Sequence, residues 1–530
     1  MTLESPKTIV KDRFDKTTTH EDQSSKFNTH AKELVLIAEG SGIILLGRIL
    51  ERTIQYFYII AIARMLGKHS FGLFMLGLTI LNFGSIISRF GLDTGAIRFV
   101  ALFHGVGDKA RVKGVIIQSL KYVLILSILI AAGLFFAAKP LSAKLFNKPQ
   151  LEIIIKMLCL SMPFISLAIT ALACTQGVQI MRYTAYGHIF WTMCNLILAI
   201  ISFVIGFGLQ GILAAHIISI FLTSVLSLHF LTRAFPAIRQ TEVITETMKL
   251  LRFSAPLLLA SFITALLRWI DTLMLGYFKL PSEVGVYNAA MRTAMLTCIV
   301  LISFNSIFAP MISDLYHRKE MDKLAHLFKT TTKWTYTMSL PVSFVMVLLS
   351  KEIMTIFGQG FIAGGNCLMI LAFAQLVSAS VGSVGMLLTM SGRQHLMMYN
   401  TLAVSLSNIL LNYLLIPSYG ILGASIASGI SIIIFNIVML LETYVLLKVH
   451  PYSRKFLKPT FFGMVAFAII LLIKYILIDW VGILKVVTFI SLFLFVFTCL
   501  MYKWGFDEQD RFIISIFHKK LQKALIKKDN

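Results

Sequence analysis

Lysine and arginine gather in every second gap between about fourteen long apolar runs, and this alternation leaves the chain very few ways to fold. Lys7, Lys11, Arg13, Lys16, Lys26 and Lys32 precede the first run. Lys109, Arg111 and Lys113 follow the second, Arg233, Arg239, Lys249 and Arg252 the sixth, and Arg318, Lys319 and Lys323 the eighth. Lys448, Arg454, Lys455 and Lys458 follow the twelfth, and Lys503, Arg511, Lys519, Lys520, Lys523, Lys527 and Lys528 the last. The other gaps hold few basic residues. A chain threaded back and forth through a bilayer has this pattern, because short Lys/Arg-rich loops stay on the cytoplasmic side. An even number of spans then places both basic termini in the cytoplasm.

The runs lie near 41–64, 71–90, 115–138, 151–172, 186–207, 210–231, 253–277, 289–311, 331–350, 364–388, 396–416, 420–446, 460–478 and 481–502. Each approaches the ~20 apolar residues a helix needs to cross ~30 Å of hydrocarbon. The expected fold is an all-α polytopic membrane protein of about fourteen transmembrane helices. Hydrophobic residues make up 57% of the chain and charged residues 14%, against ~25% charged in ordinary globular domains. The net charge of +23 comes with no zinc spacing or groove-reading motif. It therefore suits the anionic lipids of the inner leaflet rather than nucleic acid. The six cysteines stand singly in or beside apolar runs, as small apolar fillers rather than a disulfide framework or metal site. Residues 1–34 are polar, lack the apolar stretch of a signal peptide and read as a disordered basic cytosolic tail. Residues 506–530 read as a basic amphipathic segment lying on the inner leaflet. The loops are too short for a globular domain, so function must reside in the membrane-embedded body.

The chain also repeats itself. LGKHSFGLF (Leu66–Phe74) after the first run matches KLPSEVGVY (Lys279–Tyr287) after the seventh, each a polar turn followed by Gly-x-aromatic. GILAAHI (Gly211–Ile217) matches GILGASI (Gly420–Ile426), and Gln176-Gly177 matches Ser391-Gly392. Three pairs in order, about 210 residues apart, indicate two copies of a six-span unit. Six spans preserve orientation, so the repeat is parallel, about an axis along the membrane normal. The expected organisation is an N-lobe over 35–240, a pseudo-symmetric C-lobe over 241–450, and two further spans over 451–505.

Charges inside spans are costly and usually mark a pathway. Arg48, Glu51, Arg52 and Gln55 in the first span are spaced i, i+3, i+4, i+7 and share one helix face. Arg268 and Asp271 stand one turn apart in the seventh span, its repeat partner. Two facing helices would thus bring three arginines and two carboxylates towards a shared centre. Self-neutralising pairs within each helix are the plainer reading, but the first span keeps a surplus arginine. Such a surplus in a low-dielectric cavity invites an anionic ligand, since the planar guanidinium suits phosphate or carboxylate. Arg48, Arg52, Arg268 and Gln55 are the candidate substrate-binding residues. Glu51 and Asp271 are candidates for a coupling ion or a charge pair. Asp93, Arg98 and Arg292 are secondary candidates, each open to a plain interfacial reading. His188, His216 and His229 sit in apolar helices without metal-ligand spacing, as structural histidines or, less simply, proton-coupling groups. No Walker A, HExxH or GxSxG motif is present, nothing points to a cofactor or metal, and no catalytic constellation emerges.

The run AEGSGIILLGRILERTIQYFYIIAIARMLGKHSFGLFMLGLTI, followed by SRFGLDTGAIRFVALFHGVGDKARVKGVI, resembles the start of prokaryotic oligosaccharide flippases of the polysaccharide-transporter family. That family shares a superfamily with the multidrug/toxin extrusion transporters and the lipid II flippases. Ala63-Arg64-x-Leu66-Gly67, Gly72-Leu-Phe, and Gly91-Leu92-Asp93 with Arg98 carry the likeness, as do Trp269-x-Asp271, Glu283-Val-Gly285-Val-Tyr287 and GILGASIA. The resemblance implies a V-shaped pair of six-helix lobes with two extra helices in the cytoplasmic membrane of a prokaryote. It implies a polyprenyl-(pyro)phosphate-linked oligosaccharide as substrate, carried outward by alternating access for surface-glycan assembly and coupled to H+ or Na+. Association with glycosyltransferases would follow. The arginine register in the first span is shifted from that of lipid II flippases, which speaks against a peptidoglycan role. A cation-coupled multidrug exporter is the alternative transporter, although a positive cavity suits cationic drugs poorly. A membrane glycan polymerase or ligase would need a polar outward loop that the chain lacks. A structural scaffold would leave the charges at matching depth without a purpose.

Overall fold

The computed structural model describes residues 15–236, 242–476, 483–507 and 510, and within these the side chains outside 15–49, 306–307, 454, 476 and 483–484. The described chain is helical and contains no strand. The first group of helices is α1 (Asp15–Arg89), α2 (Leu92–Gly105), α3 (Lys109–Pro140), α4 (Leu151–Cys159), α5 (Met162–Gly177), α6 (Arg182–Val204) and α7 (Gly208–Ala234). The second is α8 (Thr247–Phe278), α9 (Pro281–Ala294), α10 (Ile299–His317), α11 (Met321–Leu348), α12 (Ser350–Thr355), α13 (Gly365–Val381), α14 (Val384–Met390) and α15 (Gln394–Leu447). α16 (Leu457–Ile476) and α17 (Ile483–Leu500) follow.

Among the described residues ten helices are long and apolar enough to cross a membrane, or eleven if the bent pair α4–α5 counts as one span. Two of the ten are double-length, and each is broken once by a glycine at positive φ: Gly67 in α1 and Gly420 in α15. Each therefore carries two of the apolar runs read from the sequence, so the protein is a multi-pass membrane protein of the expected class. The span read at 331–350 is helical within α11 but is not among the ten. Its helix opens with the charged or basic residues Asp322, Lys323, His326, Lys329 and Lys333.

The segment expected to be a disordered tail is helical from Asp15 onward, since no proline or glycine interrupts residues 15–39. Residues 1–14 and the amphipathic segment 511–530 lie outside the described residues.

One apolar core runs from α1 and α4 through α9, α11 and α13 to α16 and α17, with Phe71, Phe74, Tyr287, Phe357, Phe361 and Phe493 almost fully enclosed. The two helical groups meet most closely at α1 and α9, and here the repeat is visible in space. Gly72 and Gly285, equivalent residues of the two copies, face each other. A Cβ on Gly72 would overlap the Pro281 carbonyl, and one on Gly285 would overlap the Lys68 carbonyl. Only glycine permits backbones to come this close. Arg64 Nε donates to the Ile356 carbonyl at 2.6 Å, and Lys148 Nζ donates to the Gly276 carbonyl, which fastens the same end.

α8 crosses between the groups. Its first half packs Leu258 and Phe262 on Phe83 and Ile86 of α1 and sets Ser254 against Gly91 and Gly95. Its second half enters the C-terminal group beside α15.

Candidate functional site

Arg52, Arg268 and Arg292 come together from both groups. Arg52 is exposed on α1, and its Nη1 donates to Gln55 Oε1 at 3.3 Å. Arg268 projects from α8 with its guanidinium 5.9 Å from the Trp269 ring. Arg292 reaches from α9 towards α1, with Nη2 3.7 Å from Met75 Sδ and a buried Nε that has no hydrogen-bond partner. Arg52 is the positive charge that acts on both Arg268 and Arg292. Among the described residues no carboxylate stands within ion-pair distance of any of the three. Three cations without a counter-ion in an apolar surround repel one another. That arrangement is relieved by an anion with several oxygens. The Arg48 side chain lies outside the described residues, and Glu51 is half-buried on the same turn as Arg52.

Asp271 does not join this centre. One turn from Arg268, it points the other way into the C-terminal group and is 3% exposed. Its carboxylate accepts from Tyr287 Oη at 2.7 Å, from Asn412 Nδ2 at 2.6 Å and from Ser428 Oγ. Asn412 Nδ2 also donates to Asn408 Oδ1 at 3.0 Å. The expected meeting of Asp271 with the arginines is therefore corrected, while Glu51 stays on the turn of Arg52. Hydroxyls and amides hold Asp271, because three donors compensate a buried carboxylate within its own bundle. A cavity of about 550 Å³ inside the C-terminal group, lined by Asn305, Gln375 and Ser378, reaches Asn408 and Ser428 of this ring.

Asp93 is spoken for, paired with Arg89 at 2.6 Å and accepting from the Thr94 amide. Arg98 lies 4.4 Å over the Phe253 ring, joining α2 to α8. Asp93 sits at the α1–α2 junction and Arg98 within α2 on the side that meets α8.

Tyr287, Asn408, Asn412 and Ser428 escaped the sequence reading. So did a second polar group in the N-terminal helices. Asn195 Nδ2 lies 3.2 Å from His216 Nδ1, Phe74 and Trp191 flank the imidazole, and Tyr58 sits beside Asn195 and Arg292. The signal was available in the repeat. Tyr58 and Asp271, Asn195 and Asn408, and Gly72 and Gly285 all share one offset of about 213 residues.

Comparison with known proteins agrees with this architecture. The model of the family described as "Polysaccharide biosynthesis protein" matches residues 37–316, and the MatE model matches residues 256–414. The probable low-salt glycan biosynthesis flippase Agl15 of Haloferax volcanii is 27% identical over 31% of this chain and 35% of its own length. The probable flippase AglR of the same organism is 26% identical over 32% and 36%. The chain thus spans about a third of the length of these two relatives. An uncharacterised membrane protein of Methanocaldococcus jannaschii, MJ1068, is 22% identical over 72% of this chain and 79% of its own. Among solved structures, the lipid II flippase MurJ in its inward closed conformation superposes with a TM-score of 0.70 at 14% identity, covering 90% of this chain and 99% of that one. An inward-facing MATE-family multidrug transporter of the MOP superfamily gives 0.63 at 18% identity, over 74% and 94%. With a family model matched over more than half its length, the chain belongs to the polysaccharide biosynthesis protein family of multi-pass membrane proteins.

Proposed function

We propose that this protein is an alternating-access flippase that carries a polyprenyl-(pyro)phosphate-linked oligosaccharide across the cytoplasmic membrane, with both termini in the cytoplasm. It acts as a transporter, not an enzyme. The observation that carries the reading is the convergence of Arg52, Arg268 and Arg292 from both helical groups with no carboxylate paired to them. Three guanidinium groups match the oxygens of a pyrophosphate, the neutral glycan extends into the wetter part of the cleft, and the polyprenyl tail stays in lipid. The two probable glycan flippases among the relatives support this substrate class. An unpaired cationic centre argues against export of cationic drugs.

In this reading the six-helix lobes are residues 35–240 and 241–450, and the Gly72–Gly285 contact closes the outward end. Asp271 is the coupling group. Its surroundings supply only oxygen ligands (Ser428 Oγ, Tyr287 Oη and the Asn408 and Asn412 amide oxygens, that of Asn412 buried without a partner), a set that fits a hard cation such as Na+ or a proton on the carboxyl. The cavity beside it provides access.

The test is translocation of a fluorescent lipid-linked glycan in proteoliposomes. Arg52→Ala and Arg268→Ala each remove a charge-assisted contact worth about 1.5–3 kcal/mol, so transport should fall roughly tenfold to a hundredfold. Undiminished transport by folded Arg268→Ala protein would refute the assignment of the centre.

A further inference from the structure

The cavity of about 550 Å³ in the C-terminal group is larger than a route to Asp271 requires. Four amide side chains and five methionines line it, and no charged residue does. It follows both arms of α15, from Asn408 to Met397 and from Ser428 to Met439, eleven residues each or about 16 Å. Its volume suits an organic molecule rather than a single ion. Leu267 and Met291 also line it, and the residues that follow them are Arg268 and Arg292, so the recess borders the arginine centre.

Two features mark the recess as a binding site. The first is a broken helix. α13 ends at Val381, α14 begins at Val384, and Gly382 between them has φ 74° and ψ −147°. Glycine takes this backbone readily, and the break frees main-chain groups that hydrocarbon cannot satisfy. Irregular backbone at membrane depth is tolerated where it lines a cavity, and Gly382, Ser383, Val384 and Gly385 all line this one. The second feature is a set of polar atoms without partners. Ser431 is 2% exposed, and its Oγ has no hydrogen-bond partner; nor has the buried Asn305 Oδ1. Gln375 Oε1 accepts from Cys298 Sγ at 3.0 Å, which leaves the Nε2 hydrogens for the cavity. The wall thus offers an acceptor, a donor and a hydroxyl that serves as either.

This lining selects among occupants. An ionised group would meet no counter-charge along it. A bare isoprenoid or acyl chain would leave Ser431 and Asn305 desolvated and unpaired. Water alone would have to wet the methionines and Phe435. An acetamido group meets every requirement. Its N–H suits Asn305 Oδ1, its carbonyl suits Ser431 Oγ or Gln375 Nε2, and its methyl suits the pliant thioether wall. We propose that the recess binds the sugar next to the pyrophosphate, and that this sugar is uncharged and carries an acetamido group. The proposal deepens the flippase reading and rests on it: the arginines hold the pyrophosphate, the recess holds the first sugar, and the rest of the glycan stays in the cleft.

Methionine methyls report on the two sites separately. Met75 Sδ lies 3.7 Å from Arg292 Nη2, whereas Met386 and Met439 line the recess. Protein carrying 13C-methyl methionine is titrated in nanodiscs with farnesyl pyrophosphate, farnesyl-pyrophosphoryl-N-acetylglucosamine and the matching glucose conjugate. Met75 should shift with all three, and Met386 and Met439 only when a sugar is attached. The N-acetylglucosamine conjugate should bind roughly tenfold tighter than the glucose conjugate, as one or two added hydrogen bonds would give. S431A should cut that preference while Met75 still responds. If Met386 and Met439 do not shift with the N-acetylglucosamine conjugate, the recess assignment is overturned, and a Met75 shift then leaves the arginine centre standing. The reverse pattern keeps the recess and sinks the arginine centre. Equal affinity for the two sugar conjugates overturns the acetamido assignment. Movement of Met386 and Met439 by farnesyl pyrophosphate alone would put the isoprenoid in the recess and overturn the proposal. These comparisons use the wild type and need no variant to fold.

Discussion

The two helical groups place polar side chains at the same point of the repeat and treat them in opposite ways. Around Asp271 the carboxylate has three donors, and Asn412 Oδ1, with Ser431 Oγ and Asn305 Oδ1 of the adjoining cavity, is left without a partner. Around Tyr58 and Asn195, their counterparts, Asn195 lies 3.2 Å from His216 Nδ1 and beside Tyr58, and His216 Nε2 and Trp191 Nε1 are buried without a partner. The outer surroundings differ in the same sense. The turn before α16, α16 and α17 brace α11 through stacked Tyr336–Phe456 and edge-on Phe344–Phe467 and Phe344–Phe493. In the N-terminal group α3 and α6 keep most of their apolar stretches exposed, as α16 and α17 themselves do. A satisfied, braced bundle resists change, whereas a half-satisfied one gains by changing. The contrast predicts that the C-terminal group keeps its internal packing while the N-terminal group is the easier of the two to perturb.

The sharpest way to break that comparison is to empty both positions. Asp271→Ala removes the acceptor of one Asn412 Nδ2 hydrogen, the other staying on Asn408 Oδ1, and leaves a void, while Tyr287 and Ser428 can pair with each other at 3.1 Å. The expected loss is about 3 kcal/mol, one orphaned donor plus a cavity. Tyr58→Phe deletes a neutral hydroxyl beside Asn195 and should cost no more than about 1 kcal/mol in thermal stability in detergent. Equal losses in the two variants would mean that the bundles are alike after all.

The closed end offers a second, symmetric probe. Gly72→Ala and Gly285→Ala each drive a methyl into backbone across the contact between the groups. Overpacking of this kind costs about 1–3 kcal/mol and acts only on the closed form. The open fraction should rise roughly fivefold to more than a hundredfold, by a similar factor for both variants. Gly77→Ala is the control, because its methyl meets only the side chains of Ile154 and Leu158, which can yield. A shift in the control as large as that of Gly72→Ala would show that the interface is not special.

The topology was open to sequence reasoning because apolar runs and basic loops each report on one physical constraint, the thickness and the charge of a bilayer. The repeat was legible for the same reason: turns need particular residues, and the Gly-x-aromatic turns after spans one and seven kept them. Side-chain direction was not legible. Arg268 and Asp271 are one turn apart, and spacing alone put them on a common face, yet one faces the centre and the other its own bundle. What separates them is the position of Asn412 and Ser428, about 140 and 157 residues further along. Tyr58 and Asn195 were passed over because neither carries a charge, and hydropathy gives little weight to a tyrosine or a single amide.

The brace itself supplies the smallest test. After α17 the chain presents Asp507, which accepts from Lys333 at 2.9 Å and from Lys458 at 2.9 Å, while Asp510 takes Lys333 at 2.6 Å. Partial burial raises the Asp507 carboxyl, but the bonds from Lys333 and Lys458 outweigh it and hold the group at about 2, against 3.8 for a free aspartate. A carboxyl whose folded value is depressed lends stability above its unfolded value and loses it as the pH falls through the folded one. The contribution is therefore complete above about pH 4, declines between pH 4 and pH 2, and amounts to at most about 2 kcal/mol. Hydrogen exchange in α16 and α17 should speed up over that interval in the wild type. In Asp507→Asn it should already be fast at neutral pH, with no acid step remaining. In the N-terminal group Arg111 of α3 meets Asp108 and Glu246 only at 3.5 and 3.4 Å, so exchange in α3 and α6 should not follow the same curve. An acid step of equal size there would remove the distinction between a braced half and a responsive one.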